Sequence, residues 1–136
     1  MFETARPRYA LPLAGKVYEL MGTFGMIEAV EYAMKDYVGN VALNVMRDMG
    51  MADLAKLLSA ILTACDHKTT QAEAGQMIWQ HVGATGEEND MLRFHLYAFI
   101  CICIAPPAQR EKRAEEMGEL LGKFTASRGD STDKSA

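Results

Sequence analysis

Three cysteines and three histidines carry the sulfur and nitrogen atoms that bind zinc in proteins. They are Cys65, His67, His81, His95, Cys101 and Cys103. Structural zinc sites usually take their ligands from close pairs separated by two to four residues. That spacing is absent here, and Cys101 and Cys103 would point about 200° apart on a helix. We therefore predict no metal and no cofactor, and we expect buried, reduced cysteines, which favour an intracellular protein.

Paired carboxylates are the other candidates for chemistry, as general acids and bases. Glu28 and Glu31 form one pair, and Glu87 and Glu88 form another. On helices such residues ordinarily face solvent or compensate the helix dipole. The chain contains neither a G-x-S-x-G nucleophile motif nor a glycine-rich phosphate loop. We predict a non-enzymatic protein without catalytic residues, in which His95 is a structural histidine with a satisfied hydrogen bond.

The segment from Met91 to Ala105 predicts the element around which the chain folds. It contains ten consecutive apolar residues from Leu96 onward, so other elements must surround it. This run is too short to span a bilayer. Its composition also fits a buried strand, but Thr85 with Glu88 resembles a helix capping box, and Pro106 would end a helix. We expect a central helix of roughly four to five turns.

A short hairpin is predicted before the helices. Residues 9–13 and 17–21 alternate in polarity around Ala14 and Gly15. Pro12 lacks a donor, so its strand should lie at an edge. A lone hairpin is marginal in water, and we expect it to lie against the helices or to be completed by a strand of another chain.

The remaining elements are predicted as amphipathic helices. Thr23 should cap a helix that ends at Gly39, and a short helix should precede Gly50. A leucine-rich helix should end near Cys65, and a Thr70 capping box should open the next one. Trp79 and Tyr97 are expected at the edge of the core. After the prolines, a charged helix carries a narrow apolar stripe of Met117, Leu120, Leu121 and Phe124.

The predicted fold is mainly α, a small helical bundle of five or six helices with a short N-terminal β-hairpin. We expect a flexible N-terminus over 1–8, a helical core domain over 9–105, a C-terminal amphipathic helix over 106–125 and a disordered tail over 126–136. The net charge of −4 and the lack of a basic run argue against nucleic-acid binding. The start of the chain lacks the pattern of a signal peptide, so neither secretion nor a membrane location is expected.

The order and spacing of these elements resemble those of the tail assembly chaperones of gene transfer agents, bacteriophages and prophages. The likeness covers Leu13 to Ala105, and residues 106–136 are the part that it covers least. It rests on four segments before the last apolar helix: AGKVYEL, TFGMIEAVEYAM, MADLAKLLSAIL and TTQAEAGQMIWQHVG.

The resemblance implies a cytoplasmic assembly factor of the bacterial host that binds the tape-measure protein and helps recruit tail-tube subunits. It implies that the chaperone is not expected in the mature particle. Ten methionines suit an adaptable groove for an amphipathic helix. The candidate contacts, each of which could instead be ordinary core, are Met21, Phe24, Met26, Met117, Leu120, Leu121 and Phe124. The unpaired hairpin edge also favours self-association into a homo-oligomer.

Two other functional classes fit the same sequence. One is a structural minor tail or tail-terminator component, which would remain in the particle. The other is a cytosolic helical adaptor unrelated to phage, which the identity of the neighbouring genes would favour or oppose.

Overall fold

The structure, a computed structural model, describes the backbone of residues 5–135 and the side chains of residues 5–123. The chain begins with two strands, β1 (Arg8–Leu13) and β2 (Lys16–Met21). Six helices follow: α1 (Phe24–Met34), α2 (Val38–Arg47), α3 (Met51–Ala64), α4 (Gln71–Met77), α5 (Glu87–Ile104) and α6 (Arg110–Ser135). A π-helix (Ile78–Val82) extends α4, and a 3₁₀ helix (Pro107–Gln109) precedes α6. Helix accounts for 69% of the structure, which confirms the predicted mainly α fold with a hairpin.

The hairpin turns through Ala14 and Gly15, whose φ angles of 54° and 77° give the turn that matches the twist of paired strands. The pairing runs from Leu13 opposite Lys16 to Arg8 opposite Met21. It extends one step further, because the Gly22 N–H donates to the Pro7 carbonyl oxygen at 2.7 Å. The predicted flexible N-terminus, residues 1–8, therefore extends too far, because Pro7 and Arg8 pair with β2. Residues 1–4 lie outside the described residues.

Helix α5 is the central element, as predicted. Leu96, Phe99 and Ile100 are fully buried, and α5 contacts α2, α6 and β1. At Gly22 the hairpin comes so close to α5 that an added Cβ would overlap the sulfur of Cys103. Glycine is therefore required at this point of contact.

The start of α5 differs from the prediction. Its N-cap is Gly86, at φ 97°, and no side chain caps the helix. The predicted capping box of Thr85 and Glu88 is wrong because the helix begins one residue later than that motif requires. Glycine alone adopts a positive φ without a steric cost, so it sets the boundary.

Two other predicted caps are confirmed. Thr23 Oγ1 accepts a hydrogen bond from the Met26 N–H at 3.1 Å. Thr70 Oγ1 accepts from the Glu73 N–H at 3.1 Å, and the Glu73 carboxylate accepts from the Thr70 N–H at 2.9 Å. These bonds satisfy backbone donors that lack partners within their helices.

The boundary between α1 and α2 corrects another prediction. Helix α1 ends at Met34 because Lys35 adopts a left-handed conformation at φ 53°. Gly39, which was predicted to close this helix, lies inside α2 instead. At the other end of α2, the Arg93 guanidinium donates to the carbonyl oxygens of Val45 at 3.1 Å and Met49 at 2.6 Å. These bonds join α5 to the end of α2.

The core is completed by α3, which lies between α1 and α4. Its predicted apolar positions are all fully buried: Leu54, Leu57, Leu58, Ile61 and Leu62. Cys65 follows its last residue, as predicted.

Helix α6 packs on α5 through buried Met117 and half-buried Leu121. Its backbone is helical to Ser135, through most of the segment 126–136 that was predicted to be disordered. Disorder was predicted because the segment has few apolar side chains to pack on the core. The segment contains no proline, however, so the hydrogen bonds of the helix backbone can continue through it. None of the described helices is long and apolar enough to cross a membrane.

Candidate partner-binding surfaces

The three thiols are free and buried. Burial raises the pKa of Cys103 to about 12 and also raises the pKa values of Cys65 and Cys101. The Cys65 thiol donates to the Met21 carbonyl oxygen at 3.5 Å. Thiols held in their protonated form are poor nucleophiles and poor metal ligands. Among the described side chains, those of residues 5–123, no three His, Cys, Asp or Glu are arranged to hold a metal ion.

Two histidines outside the hairpin form hydrogen bonds to it, one to each strand. His95 is only 6% exposed, and its Nδ1 lies 2.7 Å from the Tyr9 hydroxyl. Burial lowers the pKa of His95, which favours the neutral ring. The Nε2 of His67 donates to the Glu19 carbonyl oxygen at 2.8 Å, and its ring meets Tyr18 edge-on. These hydrogen bonds join β1 to α5 and β2 to the loop after α3.

The candidate contact residues do not form one surface. Met26 and Met117 lie in the core, at 0% and 8% exposure, so neither side chain is available to a partner in this conformation. Phe24 and Leu120 are exposed, at 78% and 46%. Met21 and Leu121 are partly buried, and the side chain of Phe124 lies outside the described residues. Met26 packs inward with Val30 of its stripe on α1, and Met117 packs inward with half-buried Leu121 on α6.

A different apolar surface lies between α3 and α4. This α3–α4 groove has a volume of about 590 Å³. It is lined by Met51, Ala52, Ala55, Gln71, Ala72, Gly75 and Trp79. Gly75 faces Ala55 across the groove, where a Cβ added to the glycine would lie 3.6 Å from the Ala55 Cβ, an ordinary contact distance. A partner backbone can approach closely where side chains are this small.

Trp79 stands at one end of the α3–α4 groove and is 69% exposed. The prediction that it lies at the edge of the core is wrong, because the π-helix places it on the surface. Exposed tryptophan is unusual in a monomer surface and is enriched at the centres of protein interfaces. The indole therefore marks the groove as a candidate interaction site.

This groove was not predicted from the sequence, because the predicted contacts were large apolar residues at helical spacing. The signal was present in small residues. Ala52 and Ala55 are three positions apart on α3, and Ala72 and Gly75 have the same spacing on α4. Residues with this spacing share a helix face.

Comparisons of the chain with models of known protein families, with curated proteins and with solved structures each found no match. The role of the groove must therefore be inferred from its own chemistry. It is apolar, shallow and open, with one aromatic side chain at its end. Such a surface suits the apolar face of an amphipathic helix, and the described residues that line it offer no pair of charged groups for catalysis.

Proposed function

We propose that this chain is a non-enzymatic tail assembly chaperone of a phage, prophage or gene transfer agent. In this proposal it acts in the bacterial cytoplasm, holds a helical segment of the tape-measure protein and helps tail-tube subunits gather there. It leaves the assembly before the particle is complete. The order of elements that motivates the resemblance agrees with the fold, and the α3–α4 groove supplies a surface for a helical ligand.

The observation that carries the proposal is the pairing of a small-residue floor with exposed Trp79. A helix needs a groove whose floor lacks bulky side chains, and an anchor that covers apolar area at its end. Ala52, Ala72 and Gly75 provide the first, and the indole provides the second. A tape-measure protein is long and helix-rich, so it presents amphipathic helices of the required kind.

Trp79→Ala tests the groove directly. The side chain is 69% exposed, so its removal should leave the fold intact. Loss of an aromatic anchor typically costs about 2 kcal/mol or more of binding free energy, which is roughly a 30-fold weaker complex. The partner is the product of the long reading frame that we expect beside this gene. Binding is measured after co-expression and then by titration of the purified segment.

Ala72→Glu provides a second test, because it places a carboxylate in the groove. Ala72 is exposed in the first turn of α4, where the helix dipole favours negative charge, so folding should be preserved. Tyr32→Ala is the matched control, since Tyr32 is an aromatic residue of α1, is 88% exposed and lies outside the groove. Equal binding by all three variants and the unmodified protein would rule out the groove as the docking site.

The candidate contacts Phe24 and Leu120 offer a second surface for the same partner. Phe24→Ser and Leu120→Ser change exposed side chains and should preserve the fold. If these variants lose the tape-measure protein while Trp79→Ala retains it, the chaperone function stands and the groove assignment fails. Presence of the chain in purified particles at a fixed copy number would instead identify a structural tail component.

A further inference from the structure

The two edges of the hairpin differ in how their backbone groups are satisfied. In the observed register, Leu13 and Lys16 flank the turn, so residues 7, 9, 11 and 13 direct their hydrogen-bonding groups toward β2. The residues between them on each strand direct theirs outward. On β2, the outward carbonyl of Glu19 accepts from His67, and that of Met21 accepts from Cys65. The loop after α3 therefore covers the β2 edge.

The β1 edge has no such cover within the described residues. Arg8 and Ala10 each direct an N–H and a carbonyl oxygen outward, and Pro12 directs a carbonyl oxygen outward. No hydrogen bond from the described residues, the backbone of 5–135 and the side chains of 5–123, reaches these groups, and all three side chains are exposed. Pro12 removes no hydrogen bond between β1 and β2, because an N–H at this position would point away from β2.

We propose that the β1 edge binds the β1 edge of a second copy of this chain. The two strands run antiparallel and are centred on Ala10, which gives a four-stranded sheet in the order β2, β1, β1, β2. Ala10 exchanges two hydrogen bonds with Ala10 of the second copy. The Arg8 N–H of each copy donates to the Pro12 carbonyl oxygen of the other, which makes four hydrogen bonds in all.

This register is favoured by both side chains and backbone. Arg8 lies opposite Pro12 rather than opposite another arginine, so like charges are kept apart. A parallel pair in register would place Arg8 beside Arg8. On the inner face, half-buried Tyr9 of each copy comes next to the paired strand, which removes part of its exposed apolar area from water.

The assembly is a closed dimer. Pairing consumes both β1 edges, and the outer edges of the new sheet are the β2 edges that His67 and Cys65 already cover. A two-fold interface of this kind uses the same surface on both copies and stops at two. Indefinite growth of the sheet is prevented.

Cysteine cross-linking tests the register. In Ala10→Cys, the two introduced residues would have Cα atoms about 5.5 Å apart, which is within the range of a disulfide. Val17→Cys is the matched control, because Val17 lies on the same outer face and is 64% exposed. Its two copies would be roughly 20 Å apart, given the spacing and rise of strands. The native thiols are buried and do not compete.

We expect mild oxidation to convert Ala10→Cys to a covalent dimer while Val17→Cys remains uncross-linked. Cross-linking of both variants to the same extent, or of neither, would overturn the proposal. Both results are judged on protein whose circular dichroism matches that of the unmodified chain.

Sedimentation equilibrium provides the second measurement. The unmodified chain should dimerise, and Ala10→Pro should weaken the dimer roughly 30-fold, because it removes two of the four hydrogen bonds. The outward N–H of Ala10 is not used by the hairpin, so the monomer should keep its fold. A monomeric unmodified chain at high concentration, or an unchanged dimer in a folded Ala10→Pro variant, would contradict the pairing.

Discussion

The imidazole of His95 is enclosed between β1 and α5. Its ring meets Tyr9 edge-on, with centroids 5.7 Å apart, and shares a hydrogen bond with the Tyr9 hydroxyl. Burial also raises the pKa of Tyr9 to about 12, so the phenol stays protonated at every physiological pH. A neutral tyrosine and a neutral histidine can share one proton in a short hydrogen bond without burying a charge. The pair is therefore suited to holding the hairpin on the helices near neutral pH.

Acidification should destabilise the fold through His95. Its pKa is lowered in the folded state, so the unfolded chain binds the proton more readily. The stabilisation by neutral His95 is complete above a pH of about 6.5, the pKa of histidine in the unfolded chain. It is lost as the pH falls through the lower pKa of the folded state. Between about pH 7.5 and 5.5, this residue can lower the free energy of unfolding by at most about 1.4 kcal/mol.

Urea denaturation across this pH range measures the effect. In His95→Gln the pH dependence should be weaker than in the unmodified chain, and His81→Gln, which changes an exposed histidine, serves as the control. If His95→Gln and the unmodified chain show the same pH dependence of the free energy of unfolding, His95 is not the group that causes it.

At the scale of elements, two threonines that precede helices have different roles. Thr70 makes a reciprocal cap with Glu73, and this hydrogen bonding lowers the pKa of the Glu73 carboxyl. Thr85 precedes α5 but makes no cap, because Gly86 holds that position. Similar sequence motifs thus lead to one cap and one plain loop residue.

Thr70→Ala should lower the free energy of unfolding by about 1 kcal/mol, because it leaves backbone donors of α4 without their partner. Thr85→Ala should change it by less than about 0.5 kcal/mol. Chemical denaturation measures the free energy of unfolding of both variants and of the unmodified chain. Equal losses in the two would show that Thr85 caps α5 in solution.

The whole molecule joins its elements through one core. The three buried thiols belong to different parts of that core: Cys65 follows α3, whereas Cys101 and Cys103 lie on α5. Burial raises the pKa of Cys101, although the Tyr97 hydrogen bond and the charge of Arg113 on α6 act in the opposite direction. Reaction of the thiols therefore reports whether the core opens as a unit.

We expect all three thiols to react with an aromatic disulfide reagent at least about 1,000-fold more slowly in the native chain than in concentrated guanidinium chloride. The three thiols should react in a single phase, whose rate is set either by the rate of global unfolding or by the equilibrium population of the unfolded chain. Val17→Cys adds an exposed thiol that should react at once and calibrates the assay. A separate fast phase from Cys101 would show that α6 detaches on its own.

Local patterns were enough to predict the class of the fold and those boundaries that depend on neighbouring residues. The turn at Ala14 and Gly15, the cap at Thr70 and the stripe of α3 are local patterns, and each is confirmed. A hydrogen bond between residues three apart, or a helix face repeated every turn, needs no information from distant parts of the chain. The central position of α5 followed as well, because a segment that is apolar all round must be surrounded.

Which apolar side chains remain on the surface depends on how the helices and strands pack together. Met117 and Leu120 are three residues apart on one predicted stripe of α6, yet one is 8% exposed and the other is 46% exposed. Trp79 became part of a groove because α3 supplies the opposite wall, and the β1 edge remained open because the loop after α3 covers β2 instead. These outcomes depend on residues far apart in the chain, whose relative positions are fixed by packing and not by local pattern.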